Sequence, residues 1–488
     1  MLPLFLRLFL CCVTTLTCKP LLWAQQPGGG PRYNVVVILA DDLGWSDLGC
    51  YGGDLVETPH LDQFAAQSLK FNTAYAMPVC SPSRAALLTG RHAARVRMTI
   101  WSEGSVRGPQ NRPLLQGQSR HDLPREEITL AEILQANGYL TAMIGKWHLG
   151  NADHAPETQG FDISIGGTHW GAPHSFFWPY RGTGRFGPEY RYVPGLPYGK
   201  PGEYLTDRLT DEALKVIDHA AESDQPFFVY LSHHAPHTPI EAPAADIQRF
   251  ADRIQPDLHH QNPIYAAMVY NLDQNVGRVL DRLQQHQLDS STIVVFVSDN
   301  GGFIGPDKGK TIPVTSNDPL RSGKGSLYEG GIRVPLLIRW PGRTTAGRET
   351  DQPVILMDLF ETLRRIVPSP FELPVTDGVD LAPLLLNPEA RLDRQALYFH
   401  YPHYYPTTTP VGAIRAGDWK LLEYFEDNRL ELYDLSSDPS ESINQISQQP
   451  RKAAELLQQL REWREAVDAS LPTPNPKAKQ ESRKPVNP

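Results

Sequence analysis

Two short stretches constrain this chain more than any other. Asn34–Ala40 reads NVVVILA, and Thr292–Val297 reads TIVVFV. A continuous apolar run rich in Val and Ile is the pattern of a strand buried on both faces of a sheet. Oxygen-bearing side chains follow each at once: Asp41 and Asp42 after the first, Ser298, Asp299 and Asn300 after the second. Open α/β sheets gather their ligand sites at the carboxyl ends of strands. The chain is therefore read as α/β, with Asp41, Asp42, Asp299 and Asn300 as a hard, all-oxygen cation site. Such ligands favour Ca²⁺ or Mg²⁺ over zinc, and mixed carboxylate and amide oxygens suit Ca²⁺ better. Taken alone, Asp41-Asp42-Leu43-Gly44 is also ordinary turn chemistry.

The segments between these runs alternate helix and strand. Thr58-Pro59 opens a helix with Leu61, Phe64, Ala65 and Leu69 on one face. A helix over 130–137 leads through Gly138 into a strand over 139–144. An amphipathic helix over 205–221 precedes the strand 227–232, a long helix spans 264–285, and another covers 357–366. Beyond 370 the pattern changes to short strands over 396–400, 413–415, 419–424 and 430–435, closed by a helix over 451–467. The expected organisation is a first domain over 33–370 and a smaller α+β domain over 371–470. Residues 471–488, rich in Pro and Lys, are expected to be disordered. No internal repeat is present.

Residues 1–24 read as a signal peptide cut near Ala24. Their apolar run, interrupted by Arg7, is too short for a membrane span. Leu16 and Thr17 do not provide the small residues that a lipid anchor at Cys18 would need. The chain is expected to be exported, hence secreted or periplasmic. Of five cysteines, only Cys50 and Cys80 lie beyond that segment. In an oxidising compartment they could pair with each other. The net charge of −9 excludes a general nucleic-acid binder.

Chemistry concentrates at Met77–Arg91, MPVCSPSRAALLTGR. Ser81 suits a helix cap, Pro82 a first helical position and Gly90 a stop. That delivers Cys80 to a helix N-terminus, where the dipole favours an anion and Arg84 adds a fork of donors. A cysteine there also reads as a small buried residue. Gly145-Lys146-Trp147-His148 leaves a strand; if extended, it turns Lys146 and His148 to one side. His233, His234 and His237 follow another strand and invite a zinc reading, without the further rigid ligand zinc would want. Residues 165–200 interleave aromatic rings with Arg181, Arg185 and Arg191 on a Gly/Pro-rich loop. They read equally as a sugar-stacking mouth and as a hydrophobic anchor for an insertion.

Cys80-Ser-Pro-Ser-Arg84 followed by A-x-L-L-T-G-R resembles the signature of the type I, formylglycine-dependent sulfatases of the arylsulfatase family. Further blocks recur in that family's order: D-D-x-G-x-x-D-x-G from Asp41, G-K-W-H-L-G from Gly145, A-P-H-x-P from Ala235 and G-K-x-x-x-x-E-G-G-x-R from Gly323. The resemblance implies an alkaline-phosphatase-like fold, a central mixed sheet flanked by helices with a smaller C-terminal α+β domain. It implies that a maturation enzyme converts Cys80 to formylglycine, whose hydrate attacks the sulfur of a sulfate ester. It further implies one Ca²⁺ on Asp41, Asp42, Cys80, Asp299 and Asn300, with Asp299 assisting deprotonation of the nucleophile. Arg84, Lys146, His148, His237 and Lys324 would hold the sulfate and the hydrate, and His237 or Lys324 would protonate the leaving alcohol. His233 and His234 are assigned to support. Expected substrates are sulfated polysaccharides or oligosaccharides, and aryl sulfates. The competing readings are a phosphomonoesterase or phosphodiesterase of the same superfamily and a non-catalytic secreted glycan-binding protein.

Overall fold

Every residue of the strand Asn34–Ala40 is buried. Val36, Ile38 and Ala40 enter one core, while Val35, Val37 and Leu39 enter the other. Burial on both faces is what an apolar run without polar alternation demands. The chain seen here is a computed structural model that describes residues 32–106, 108 and 111–478. The expected signal peptide, its cleavage near Ala24 and residues 479–488 of the expected tail lie outside the described residues.

Asn34–Ala40 pairs in parallel with Thr292–Ser298 on one side and Phe227–Ser232 on the other. Leu140–Gly145 and then Ile163–Ile165 extend the sheet in the same direction. On the opposite flank Arg333–Arg339 runs antiparallel to both Thr292–Ser298 and Leu69–Tyr75. Arg348–Thr350 and Val354–Ile355 then pair with Leu69–Tyr75 in parallel. The result is a mixed sheet of nine strands. Pro59–Ala65, Leu205–Glu222 and Pro263–Gln285 cover one face. Cys80–Thr89, Leu130–Ala136 and Met357–Leu363 cover the other.

The smaller sheet is an antiparallel meander of Leu397–Tyr401, Val411–Ala416, Trp419–Tyr424 and Leu430–Asp434. Ile414, Leu421 and Leu432 pack on Ala453, Leu456 and Leu460 of the helix Pro450–Ala466. Phe399, Tyr401, Val411 and Leu422 face Tyr75, Val79 and Ile332 of the larger part. Lys420, fully buried, bridges Glu329 and Glu441 at 2.8 Å each. The described residues from Tyr33 onward form one compact unit.

Three expectations need correction. The expected disorder does not begin at 471: Thr473–Pro474 pairs antiparallel with Leu114–Leu115, and Asn475 Nδ2 donates to the Arg112 carbonyl. The helix carrying Cys80 starts at Cys80 itself, after an extended and uncapped Val79. Pro82 is then the third helical residue, tolerated because first-turn N–H groups lack intrahelical partners. Leu69 is the first residue of a strand rather than part of a helix face.

Candidate active site

Four neighbouring parallel strands end level. Ala40 is in register with Ser298, Leu39 with Ser232, and Ser232 with Gly145. Their continuations therefore meet above one sheet edge: Asp41-Asp42, Asp299-Asn300, Lys146–His148 and His233–His237. The Asp299 N–H donates to the Ala40 carbonyl at 3.1 Å, and the Lys146 N–H to the Ser232 carbonyl at 2.7 Å. Gly145 is needed at this crossing, since its φ is +105° and a β-carbon would stand 1.9 Å from the Ser232 oxygen.

Cys80 enters from the helix beneath. Its Sγ lies 3.2 Å from His148 Nδ1, and Ser81 Oγ, free of any capping role, donates to the His148 carbonyl at 2.8 Å. The segment around His148 is not extended, because His148 adopts φ +61°. Lys146 and His148 both reach the site, but Lys146 Nζ goes to Asp41 Oδ2 at 2.6 Å. Asp42 is likewise left-handed at φ +65°. Asp and His tolerate that region better than most residues, and such strain concentrates at functional sites.

Three buried carboxylates face three cations. Arg84 Nε and Nη2 hold Asp299 Oδ2 at 3.0 and 2.7 Å, and Lys324 Nζ sits 2.7 and 2.8 Å from the Asp42 oxygens. His237 Nε2 stands 3.5 Å from Asp42 Oδ2. Burial pushes Asp41 up to about 8, against the pull of Lys146. Burial would also raise Asp42, but Lys324, His237 and Lys146 outweigh it and hold that carboxyl well below its usual range. Burial, reinforced by Lys146 and Arg84, keeps His148 neutral, and burial does the same for His237 against Asp42. The Cys80 thiol is raised by burial, which argues against thiolate chemistry.

Two buried acceptors, Asp41 Oδ1 and Asn300 Oδ1, have no hydrogen-bond partner. Asn300 turns its Nδ2 to Asp42 Oδ1 at 2.8 Å. Oxygens left without hydrogen bonds beside Asp42 and Asp299, with Arg84 Nη2 no nearer than 3.8 Å to Asp41 Oδ1, are the donor set of a hard cation. Among the described residues, the candidate metal groupings are Asp41, Asp42 and His237, and Asp41, Cys80 and Asp299; sharing Asp41, they describe one centre. His233 and His234 are buried, with both ring nitrogens unpartnered, and belong to neither grouping. Cys50 and Cys80 are both free thiols.

A cavity of about 570 Å³ opens over Cys80, His148, His237, Lys324 and Asp42. The 165–200 segment divides between its two readings. Phe186 and Arg191 line the cavity, with the Arg191 guanidinium 4.5 Å from the Phe186 ring centroid and Nη2 3.3 Å from Glu103. Phe176, Tyr180 and the partly buried Phe177 and Trp178 join the core around Tyr204. Sequence reasoning missed Trp101, Phe303, Tyr404 and Tyr405, which supply much of the remaining wall. No motif marks them.

This geometry and the sequence comparison agree: the chain belongs to the sulfatase family, whose family model matches residues 33–367, and it is a hydrolase of sulfate esters. A second model, described as N-sulphoglucosamine sulphohydrolase, C-terminal, matches residues 323–468. A sulfatase of Formosa agariphila is 32% identical over 92% of each chain. Human arylsulfatase A is 34% identical over 88% of this chain and 86% of that one. Among solved structures, Ps i-CgsB superposes with a TM-score of 0.74 at 28% identity, covering 92% of this chain and 95% of that one. It is also known in complex with k-i-k-neocarrahexaose.

Proposed function

We propose that this enzyme removes sulfate from a sulfated polysaccharide or oligosaccharide, with aryl sulfates as small surrogate substrates, using Cys80 matured to formylglycine. The observation that carries this reading is the position of Cys80. It begins a helix, 3.2 Å from His148, on the floor of a cavity of about 570 Å³ shared with Lys324 and His237. The carbohydrate ligand of Ps i-CgsB supports the substrate class.

Asp41, Asp42, Asp299 and Asn300, joined by the side chain at position 80, would hold one ion, assigned as Ca²⁺. Bound there, the ion would supply Lewis-acid stabilisation of charge on the sulfate oxygens. As the hydrate of its aldehyde, position 80 would offer one hydroxyl to attack sulfur and a second to expel sulfate. Once a cation holds Asp41 ionised, Lys146, Lys324 and Arg84 balance the three carboxylates, so a divalent ion leaves the centre net positive toward an anionic ester.

Asp299, its Oδ2 gripped by Arg84, is assigned to take the proton of the attacking hydroxyl. Neutral His148 orients that hydroxyl. Lys146 and Lys324 hold sulfate oxygens, and Lys324, or His237 once the bound anionic ester has drawn a proton onto its ring, delivers a proton to the leaving oxygen. A formylglycine-generating enzyme is the implied maturation partner, and export is the implied route. Among the described residues no helix is long and apolar enough to cross a membrane.

The test is sulfate release from a panel of defined sulfated oligosaccharides, with 4-nitrophenyl sulfate and 4-nitrophenyl phosphate beside it. Sulfate release is expected to dominate and to vanish in Cys80→Ala. Preferred phosphate release would return the site to the phosphatase reading, and glycan binding without turnover to the non-catalytic one.

A further inference from the structure

The smaller sheet reaches the reaction centre through one tight hairpin between Leu397–Tyr401 and Val411–Ala416. Within it the Tyr405 N–H donates to the Thr408 carbonyl at 3.1 Å, and the Thr408 N–H to the Tyr405 carbonyl at 3.0 Å. Thr407 Oγ1 donates to the Lys324 carbonyl at 2.7 Å. The Tyr405 ring lies against Gly325, where φ is +85° and a β-carbon would meet a ring carbon at 2.1 Å. Only glycine beside Lys324 admits the ring. Trp101 braces it edge-on, with ring centroids 5.8 Å apart.

Tyr405 and Trp101 thus form a wall of the cavity that holds Cys80, Lys324 and Asp42. The polar groups on the floor are charged side chains and imidazoles, suited to sulfate oxygens. Tyr405 differs from them. It carries a phenol, which is neutral at ordinary pH. A phenol both donates and accepts, and its ring offers an apolar face beside the polar tip. That combination matches a sugar ring, which alternates hydroxyl groups with C–H faces.

We propose that Tyr405 determines specificity by reading the leaving sugar: its hydroxyl hydrogen-bonds a free hydroxyl beside the sulfated carbon, and the Trp101–Tyr405 pair supports the ring. The substrate class is a sulfate ester on a sugar whose adjacent hydroxyl is unsubstituted. This rests on the carbohydrate-sulfatase reading above and adds to it the residue that recognises the alcohol. A site built to hydrogen-bond a hydroxyl discriminates strongly against an analogue lacking it, because its own buried partner is left unpaired.

The experiment compares kcat/KM of the mature enzyme and Tyr405→Phe on three substrates: a mono-O-sulfated sugar, the same sugar deoxygenated at the adjacent carbon, and 4-nitrophenyl sulfate. The wild type is expected to prefer the hydroxylated sugar over its deoxy analogue by about tenfold or more. Tyr405→Phe is expected to abolish that preference and to lose more on the hydroxylated sugar than on the aryl ester. Thr407→Ala, which removes the hydrogen bond to the Lys324 carbonyl, is expected to lower all three together. A wild-type preference surviving in Tyr405→Phe overturns the inference, as does equal loss on all three substrates. Wild-type turnover of 4-nitrophenyl sulfate with no sulfated sugar cleaved overturns the carbohydrate reading and the inference with it.

Discussion

Arg84 and Asp299 form a fully buried pair in which Nε and Nη2 converge on one carboxylate oxygen at 3.0 and 2.7 Å. The second oxygen of Asp299 accepts the Asp42 N–H at 3.2 Å. One guanidinium thereby ties the Cys80 helix to two strand ends. Arg84→Ala would strand a buried carboxylate and is expected to cost about 3–5 kcal/mol of stability. Arg84→Lys keeps the charge without the fork. It should fold better than Arg84→Ala yet lose about a hundredfold or more in kcat, since misplaced catalytic groups cost that much. Urea unfolding and steady-state kinetics check both, and wild-type kcat in Arg84→Lys would contradict the role.

The cation assignment predicts one ion per chain. Chelation should abolish turnover, and Ca²⁺ should restore it better than Mg²⁺. Asp42→Ala should weaken binding measured by calorimetry on the stripped protein. Zinc found on His233, His234 and His237, with none at the carboxylates, would contradict the site.

The leaving-group proton separates His237 from Lys324. A residue that protonates the departing oxygen matters most when the leaving alcohol is a poor one. With a series of aryl sulfates, the variant that removes the acid should show the steeper dependence of kcat/KM on phenol pKa. Identical slopes for wild type, His237→Ala and Lys324→Ala would assign both residues to sulfate binding alone.

Legibility in the sequence followed chemistry that is local. Asp41 and Asp299 were readable because each follows, within one residue, an apolar run rich in β-branched residues. Besides the short edge pieces, two long strands were not readable. Leu69–Tyr75 carries Lys70, Asn72 and Thr73, and Arg333–Arg339 contains Pro335. The proline is tolerated because the register slips between Phe71 and Ala74, opposite it. The Tyr51 hydroxyl accepts the Leu336 N–H at 3.0 Å just beyond the slip. Trp101 and Tyr405 were invisible for another reason: they are far apart in sequence, and only packing of the smaller sheet brings them to one wall.

The divided aromatic segment gives a paired prediction. Phe186→Ala and Arg191→Ala should raise KM for a sulfated glycan more than for an aryl sulfate. Phe176→Ala, inside the core, should instead cost about 3–5 kcal/mol of stability. Glycan kinetics and thermal unfolding distinguish them, and a lowered Tm without a KM change for Phe186→Ala would contradict the assignment.

His260 links the cation-site loop to pH. Its Nδ1 lies 2.5 Å from Asp54 Oδ1 and its Nε2 3.1 Å from Asp47 Oδ1. Asp47 also takes the Gly44 N–H, the Thr315 hydroxyl and the Tyr265 hydroxyl. Burial lowers the His260 pKa, but Asp47 and Asp54 outweigh it and raise it to about 9. A folded pKa above the unfolded 6.5 means stabilisation that is complete below about 6.5 and lost as pH rises through about 9. The Tm difference between wild type and His260→Gln should therefore shrink over that window. A constant difference from pH 6 to pH 10 would contradict the clamp.

Cys80 carries the central claim, and its test is a mass measurement tied to activity. Across preparations matured to different extents, the peptide spanning Met77–Arg91 should show sulfur and two hydrogens replaced by one oxygen, in proportion to kcat for 4-nitrophenyl sulfate. Cys80→Ser should stall with sulfate bound to the serine, because that ester has no second hydroxyl to expel it. Activity proportional to aldehyde content is the predicted result. Full turnover by protein whose Cys80 remains an unmodified thiol would contradict the account.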